Sequence, residues 1–204
     1  MTAINDLRGR WPERLFERRG RAAAAFYSQL AKASAAYWGV ELGADCDFFG
    51  RAPFRRTRGS DLVIGDRCIF RSAKWSNPAG VNRPCMMSTL EAGAELRVGA
   101  QCGFSGTALV AAESVVLDDG VFCGVNVTIM DTDMHDLHSL NRESRGACSP
   151  VHIEENVWIG MNVVVLKGVS IGAGSVVGAD SVVTKPIPAG VIAAGNPAKV
   201  IREL

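Results

Sequence analysis

Aliphatic residues recur six apart through the second half of the chain: Ile153, Ile159, Val165, Ile171, Val177 and Val183 follow one another without a slip. Four positions after each stands a small or β-branched residue, in turn Val157, Val163, Val169, Ser175, Ser181 and Ile187. Helices repeat every 3.6 residues and strands every two, so a strict six fits neither alone. It fits short strands joined by tight corners, one corner per six residues, where Gly, Asn or Asp accepts a positive φ. Glycine follows the first position in Ile159-Gly160, Ile171-Gly172 and Val177-Gly178, as such corners require. Three sixes close one triangular turn of a parallel β-helix, so residues eighteen apart, such as Ile153 and Ile171, stack at about 4.8 Å, the spacing of neighbouring strands.

The same register returns earlier with interruptions, at Leu42, Ile64, Phe70, Val98, Phe104, Val110, Leu117, Cys123 and Ile129, with a one-residue slip between Val110 and Leu117. Cys46, Cys68 and Cys102 fall four residues after first positions, the slot for small inward side chains, and are expected to be inert core thiols. Six cysteines without a C-x-x-C pair suit reduced thiols in the cytoplasm rather than a disulfide framework.

The ends lack the period. Residues 1–41 read as an alanine-rich helical extension, with Pro12 in a first turn and six arginines from Arg8 to Arg21. It packs on the coil or a neighbouring subunit, or lies against the inner face of an anionic membrane. Its longest apolar run, "AAAAFYSQLAKASAAYW", is broken by polar residues and is no spanning segment. The coil extends over 42–188, where "TKPIPAG" removes two backbone donors, and 189–204 form a tail. A net charge of +1 gives no global field toward nucleic acid.

Residues 131–150, "DTDMHDLHSLNRESRGACSP", obey no period and carry two of the three histidines. They read as a loop extruded from the coil.

The stretch from "VWIGMNVVVLKG" to "VTKPIPAGVIAAGNPAKVIREL" resembles the C-terminal part of the hexapeptide-repeat acetyltransferases, in the branch of galactoside, maltose and polysaccharide O-acetyltransferases. The resemblance implies a left-handed parallel β-helix, a homotrimer with sites between subunits, and acetyl transfer from acetyl-coenzyme A, with no metal expected. It makes His135 the general base and leaves His138 secondary. Asp131, Asp133 or Asp136 would orient the imidazole, as a carboxylate does for other histidine bases. The oxyanion donor would be the amide around Gly160-Met161. The pantetheine arm would pass Trp158, Gly160, Gly178, Ala179 and the Thr184-Lys185 turn, with Lys199 and Arg202 facing the phosphates; cations gathered near the end of the coil suit such a ligand.

On the acceptor side the asparagine that sugar acetyltransferases of this branch carry is missing from "QCGFSGTAL", where Ser105 stands. "WSNPAGVNRPC", with Asn77, Asn82 and Arg83, interrupts the coil and could line an acceptor groove together with Ser105 and Asn126. The expected reaction is O-acetylation of a sugar hydroxyl in a surface polysaccharide or glycan precursor. Alternatives are N-acetylation of an amino sugar, acetylation of an antibiotic, a carbonic anhydrase whose zinc would use His135, His138 and His152, and a non-catalytic glycan- or partner-binding coil.

Overall fold

The computed structural model describes residues 10–138 and 142–204, and within the first helix side chains from Gly20 onward; Arg8 and the side chains of Arg10, Arg14, Arg18 and Arg19 lie outside them. Among the described residues one α-helix, α1 (Arg10–Trp38), is followed by short strands that stack into three parallel sheets.

The first face stacks Glu41–Leu42, Asp61–Ile64, Glu95–Val98, Ser114–Leu117, Val151–Ile153 and Ser170–Ile171. The second runs from Asp47–Phe49 through Ile69–Arg71, Gly103–Ser105, Phe122–Val125, Trp158–Ile159 and Val176–Val177 to Val191–Gly195, with Ala198–Glu203 returning antiparallel as its last strand. The third holds Phe54–Arg55, Met86–Thr89, Ala108–Ala111, Thr128–Met130, Val164–Val165 and Val182–Val183. Chain order visits the faces in rotation, so the molecule is a triangular parallel coil. Ile153 pairs with Ile171, and Val165 with Val183, eighteen apart as the period requires.

All six first-position residues from Ile153 to Val183 are fully buried. At the broad N-terminal end the core column is aromatic: Phe48, Phe70 and Phe104 stack with centroids 4.7 and 5.2 Å apart. Cys46, Cys68 and Cys102 are buried, each Sγ donating to a carbonyl of a neighbouring corner, Gly65, Gly99 and Asp118. The Cys68 thiol is pushed up to about 12 by the neighbouring Cys102 thiol and by burial. Ser175 and Ser181 are satisfied in the core, donating to Pro188 O and Gly178 O.

The slip in the register resolves differently from the sequence pattern. The inward residue of Ala108–Ala111 is Leu109, stacked between Met87 and Ile129, and Val110 faces outward. Phe104 to Leu109 is thus a five-residue step and Leu109 to Leu117 an eight-residue one. The long corner between them is held by Asp131, as described below.

Corner residues take positive φ at Asn126, Asn156, Asn162 and Asp180, but also at Arg67 and Gln101, where the tight turn overrides side-chain preference. α1 covers the open N-terminal end, burying Ala24, Ala31 and Ala35, and its Ser28 Oγ accepts the Phe48 N–H at 3.0 Å. Among the described residues no helix is long and apolar enough to cross a membrane.

Candidate active site

Two excursions leave the coil, on different edges of the triangular prism. The first, Ser72–Cys85, replaces a corner between the second and third faces. The second, residues 131–150, replaces a corner between the third and first faces.

The edge between the second and third faces carries a cleft of about 410 Å³. Its lining follows three successive coils: Gly124 and Val125, then Trp158, Gly160 and Met161, then Val176 to Ala179, with Asn77 and Ala79 of the first excursion as a wall. A column of glycines forms the floor, because there is no room for a side chain. A Cβ on Gly124 would stand 2.7 Å from Met161 N, and one on Gly160 would stand 2.6 Å from Ala179 N. The Gly160 N–H is bound to Val177 O at 2.8 Å and the Gly178 N–H to Ala193 O at 2.8 Å. Among the described residues the N–H groups of Met161 and Ala179 have no partner. Of the pair expected to supply an oxyanion donor, only Met161 therefore has a free amide. Trp158 stands 58% exposed beside Phe122, its register partner.

The second excursion is more ordered than its sequence suggests. Thr132 bridges Cys148, the Asp133 N–H donates to Ala147 O, the Asp136 N–H to Ser144 O, and the Ser149 N–H to Asp131 O, so 131–136 and 144–149 run as a hairpin. Ser139, Leu140 and Asn141 lie outside the described residues. His135 is exposed near the tip. Its Nδ1 lies 2.5 Å from Arg142 O, and a carbonyl only accepts, so Nδ1 carries the proton and Nε2 keeps its lone pair. The Arg142 guanidinium in turn donates to Asp136 O. His135 has to approach its neighbours closely: a Cβ on Gly146 would collide with His135 O.

None of the expected aspartates orients the imidazole. Asp131 is fully buried, and its carboxylate accepts the N–H groups of Ala112, Glu113 and Ser114, each at 2.7 Å. It holds the long corner, where three successive amides have no strand partner. Asp133 pairs with Lys167 Nζ at 2.9 Å, and Asp136 Oδ1 accepts the His138 N–H at 2.8 Å. The loop is clamped to the coil on either side, by Arg145 on Glu91 and by Lys167 on Asp133. His152 is apart, its Nε2 3.0 Å from Asp118. Among the described residues no three histidine, cysteine or carboxylate side chains gather as a metal site.

The residues expected to bind acceptor have structural partners. Arg83 donates from Nε to Gly106 O at 2.9 Å and from Nη2 to Asn126 O, Val127 O and Thr128 Oγ1 at 2.8, 2.8 and 2.6 Å. Partial burial lowers its pKa. Ser105 Oγ receives Asn77 Nδ2 at 3.0 Å, and Asn126 Oδ1 receives the Asn82 N–H at 3.2 Å. These side chains fasten the first excursion to the coil. Only Asn82 leaves its own side chain exposed.

The donor-side candidates divide between edges. Trp158, Gly160, Met161, Gly178 and Ala179 line the cleft, whereas Thr184 and Lys185 sit on the edge that carries His135 and Lys167. Lys199 and Arg202 lie on the last strand of the second face. Asn77, expected on the acceptor side, lines the cleft instead, and Ala79, Arg142 and Lys167 are the contributors that spacing did not single out. The cleft lining includes no residue of the histidine loop.

Residues 150–185 match the family described as bacterial transferase hexapeptide (six repeats). The chain is 45% identical over 91 residues to a galactoside O-acetyltransferase of Escherichia coli, covering 45% of each. It is 38% identical over 143 residues to a galactoside O-acetyltransferase of Lactococcus lactis, covering 69% of this chain and 62% of the relative. The chain thus spans about half the length of the curated relatives it matches. Among solved structures, an N-acyltransferase of Bacillus cereus, held in complex with dTDP and coenzyme A, superposes with a TM-score of 0.64 at 16% identity, over 86% of this chain and 87% of that one. A hexapeptide-repeat acetyltransferase of Vibrio cholerae complexed with acetyl-coenzyme A gives 0.50 at 23%, over 87% and 77%. Both share the fold.

Proposed function

We propose that this chain, a hexapeptide-repeat protein wound as a left-handed parallel β-helix, is an acetyl-coenzyme A-dependent O-acetyltransferase acting on a sugar hydroxyl, with His135 as general base. One observation carries the reading. The cleft on one edge offers a glycine floor with two amides unpartnered among the described residues, and the loop on another edge offers an imidazole whose Nδ1 is held by a carbonyl, which leaves Nε2 as its basic nitrogen.

The floor fits the donor. A narrow arm built from amides suits an edge whose corners carry no side chains, and Gly124, Gly160 and Gly178 are confined to glycine there because a Cβ on each would strike the next coil. Lys199 and Arg202 stand toward the C-terminal end, suited to phosphate groups. Acetyl-coenzyme A supplies an activated acyl carbon. The Met161 N–H, fixed by the coil, donates to the oxygen on which negative charge develops. His135 Nε2 takes the proton of the hydroxyl as its oxygen bonds to the thioester carbon, while Arg142 O holds the Nδ1–H and stabilises the imidazolium. The tetrahedral intermediate then breaks its C–S bond, and the proton passes from His135 to the departing coenzyme A thiolate.

Because His135 and the cleft stand on different edges of one chain, a complete site joins two copies. A homotrimer brings the loop edge of one copy, with His135, Thr184 and Lys185, to the cleft edge of the next, which is the heterologous contact that cyclic closure needs. The acceptor is a glycan or glycan precursor. Exposed Phe26, Leu30 and Tyr37 on α1 support contact of the N-terminal end with an anionic membrane face, where lipid-linked precursors stand.

Purified protein is to be screened with acetyl-coenzyme A against sugars, amino sugars, nucleotide sugars and glycan fragments, following thiol release. Turnover of a hydroxyl acceptor that is lost in His135→Ala supports the reading. An amine-only acceptor redirects it to N-acetylation, and full activity in His135→Ala contradicts the mechanism.

A further inference from the structure

The cleft has a direction. Lys199 and Arg202 lie beyond its Ala179 end, so the phosphate-bearing part of a coenzyme A thioester points there, and its acyl group points toward Gly124 and Val125. At that end stand Asn77 and Ala79.

We propose that Asn77 and Ala79 gauge the acyl group, closing the acyl end of the cleft so that short acyl groups are accepted and longer ones refused, and that Arg83 is the positioning residue that keeps this wall in place. The proposal rests on the donor reading above.

The wall is built to stay still. Both ends of the Asn77 amide are occupied, Nδ2 donating to Ser105 Oγ at 3.0 Å and Oδ1 accepting the Ala79 N–H at 3.0 Å, so the side chain cannot swing aside without losing both bonds. Ser105 beneath it is itself buried, so the amide rests on filled coil. A pocket of about 670 Å³ lined by Arg71, Lys74, Trp75, Pro78 and Gly80 also reaches Asn77, which makes Asn77 the side chain shared by that pocket and the cleft. At the far end of the segment Arg83 spans the corners at Gly106 and Asn126–Thr128 with four hydrogen bonds. The Asn82 N–H adds a bond to Asn126 Oδ1. At the near end the Arg71 guanidinium donates to Ser76 O at 2.8 Å, and the Cys85 N–H to Ser72 Oγ at 3.0 Å. A guanidinium taken partly out of water and spent on carbonyls of two successive coils is a fixing device rather than a free binding group for substrate. Its planar fork reaches acceptors on two corners at once, which a lysine ammonium cannot match.

The test is equilibrium binding by calorimetry of coenzyme A and its acetyl, butyryl and hexanoyl thioesters, to the wild-type oligomer and to Asn77→Ala and Arg83→Lys, with circular dichroism on each variant. Wild type should bind butyryl- and hexanoyl-coenzyme A at least tenfold more weakly than acetyl-coenzyme A. Asn77→Ala should reduce that ratio to within about threefold, and Arg83→Lys should reduce it partway while retaining the far-ultraviolet spectrum of the coil. If wild type binds all the thioesters alike, or if Asn77→Ala leaves the ratio unchanged, the gauge is overturned and the donor reading stands. If coenzyme A itself does not bind, both are overturned.

Discussion

His135 Nδ1 and the Arg142 carbonyl oxygen stand 2.5 Å apart across the hairpin, so a main-chain group, not a carboxylate, fixes the tautomer of the imidazole. Two variants separate this arrangement from a carboxylate-oriented base. His135→Ala should lower kcat by about 10²- to 10⁴-fold, the ordinary contribution of a positioned base. Asp133→Asn, which breaks only the pair with Lys167, should cost about tenfold or less through a looser loop. Steady-state kinetics on both decide it, and equal losses would restore Asp133 as the orienting group.

Asp131 should behave as a structural residue. Its buried carboxylate serves three amides, and Asp131→Ala strands all three, at a cost of about 3–5 kcal/mol. Denaturant unfolding of Asp131→Ala should show that loss. A variant of native stability would mean that water replaces the carboxylate at no cost.

Gly146 should matter for turnover more than for stability. A side chain there meets His135 O, while the hairpin stands outside the stacked core. Gly146→Ala is expected to lower kcat by about tenfold or more with an unfolding midpoint close to wild type, since misplacing a reacting group by about 1 Å costs that much. An unchanged kcat would show that the hairpin yields without moving the imidazole.

The thiols offer an independent check on the core. Cys46, Cys85 and Cys123 are buried with their pKa values raised, Cys68 is pushed up to about 12, and only Cys148 is partly exposed. A thiol with a pKa near 12 is ionised to about one part in ten thousand at pH 8. Native protein should therefore react with a disulfide reagent at about one site, and Cys148→Ser should abolish that phase. Rapid reaction of several thiols would contradict the stacking of the N-terminal coils.

The parts of the fold that could be read from sequence are those where every corner is alike. From Ile153 to Val183 each corner spends the same number of residues, so period, burial and strand register coincide. Around Leu109 a five-residue and an eight-residue step nearly cancel, and the pattern pointed to Val110 instead. The expectations for Asp131 and Arg83 left the same partners out of view. Spacing places a charged residue near an excursion, but it does not show whether the charge faces a ligand or the unpaired amides and carbonyls that the excursion leaves behind. Asp131 answers the amides of the long corner, and Arg83 answers the carbonyls under the first loop. The separation of His135 from the cleft follows from counting which corner each loop replaces, once the coil is known to be three-sided.

Mixing two inactive variants tests the separation of His135 from the cleft. His135→Ala removes the base from the loop edge, and Ala179→Trp, at an exposed position, fills the cleft on the other edge. Each homo-oligomer should be inactive. Unfolded together in equal amounts and refolded, they should regain about a quarter of wild-type activity, the share of contacts that pair an intact cleft with an intact His135 from the next copy. If oligomers shown to contain both variants remain inactive, the site does not join two copies, and the assignment of base and cleft to different subunits is wrong.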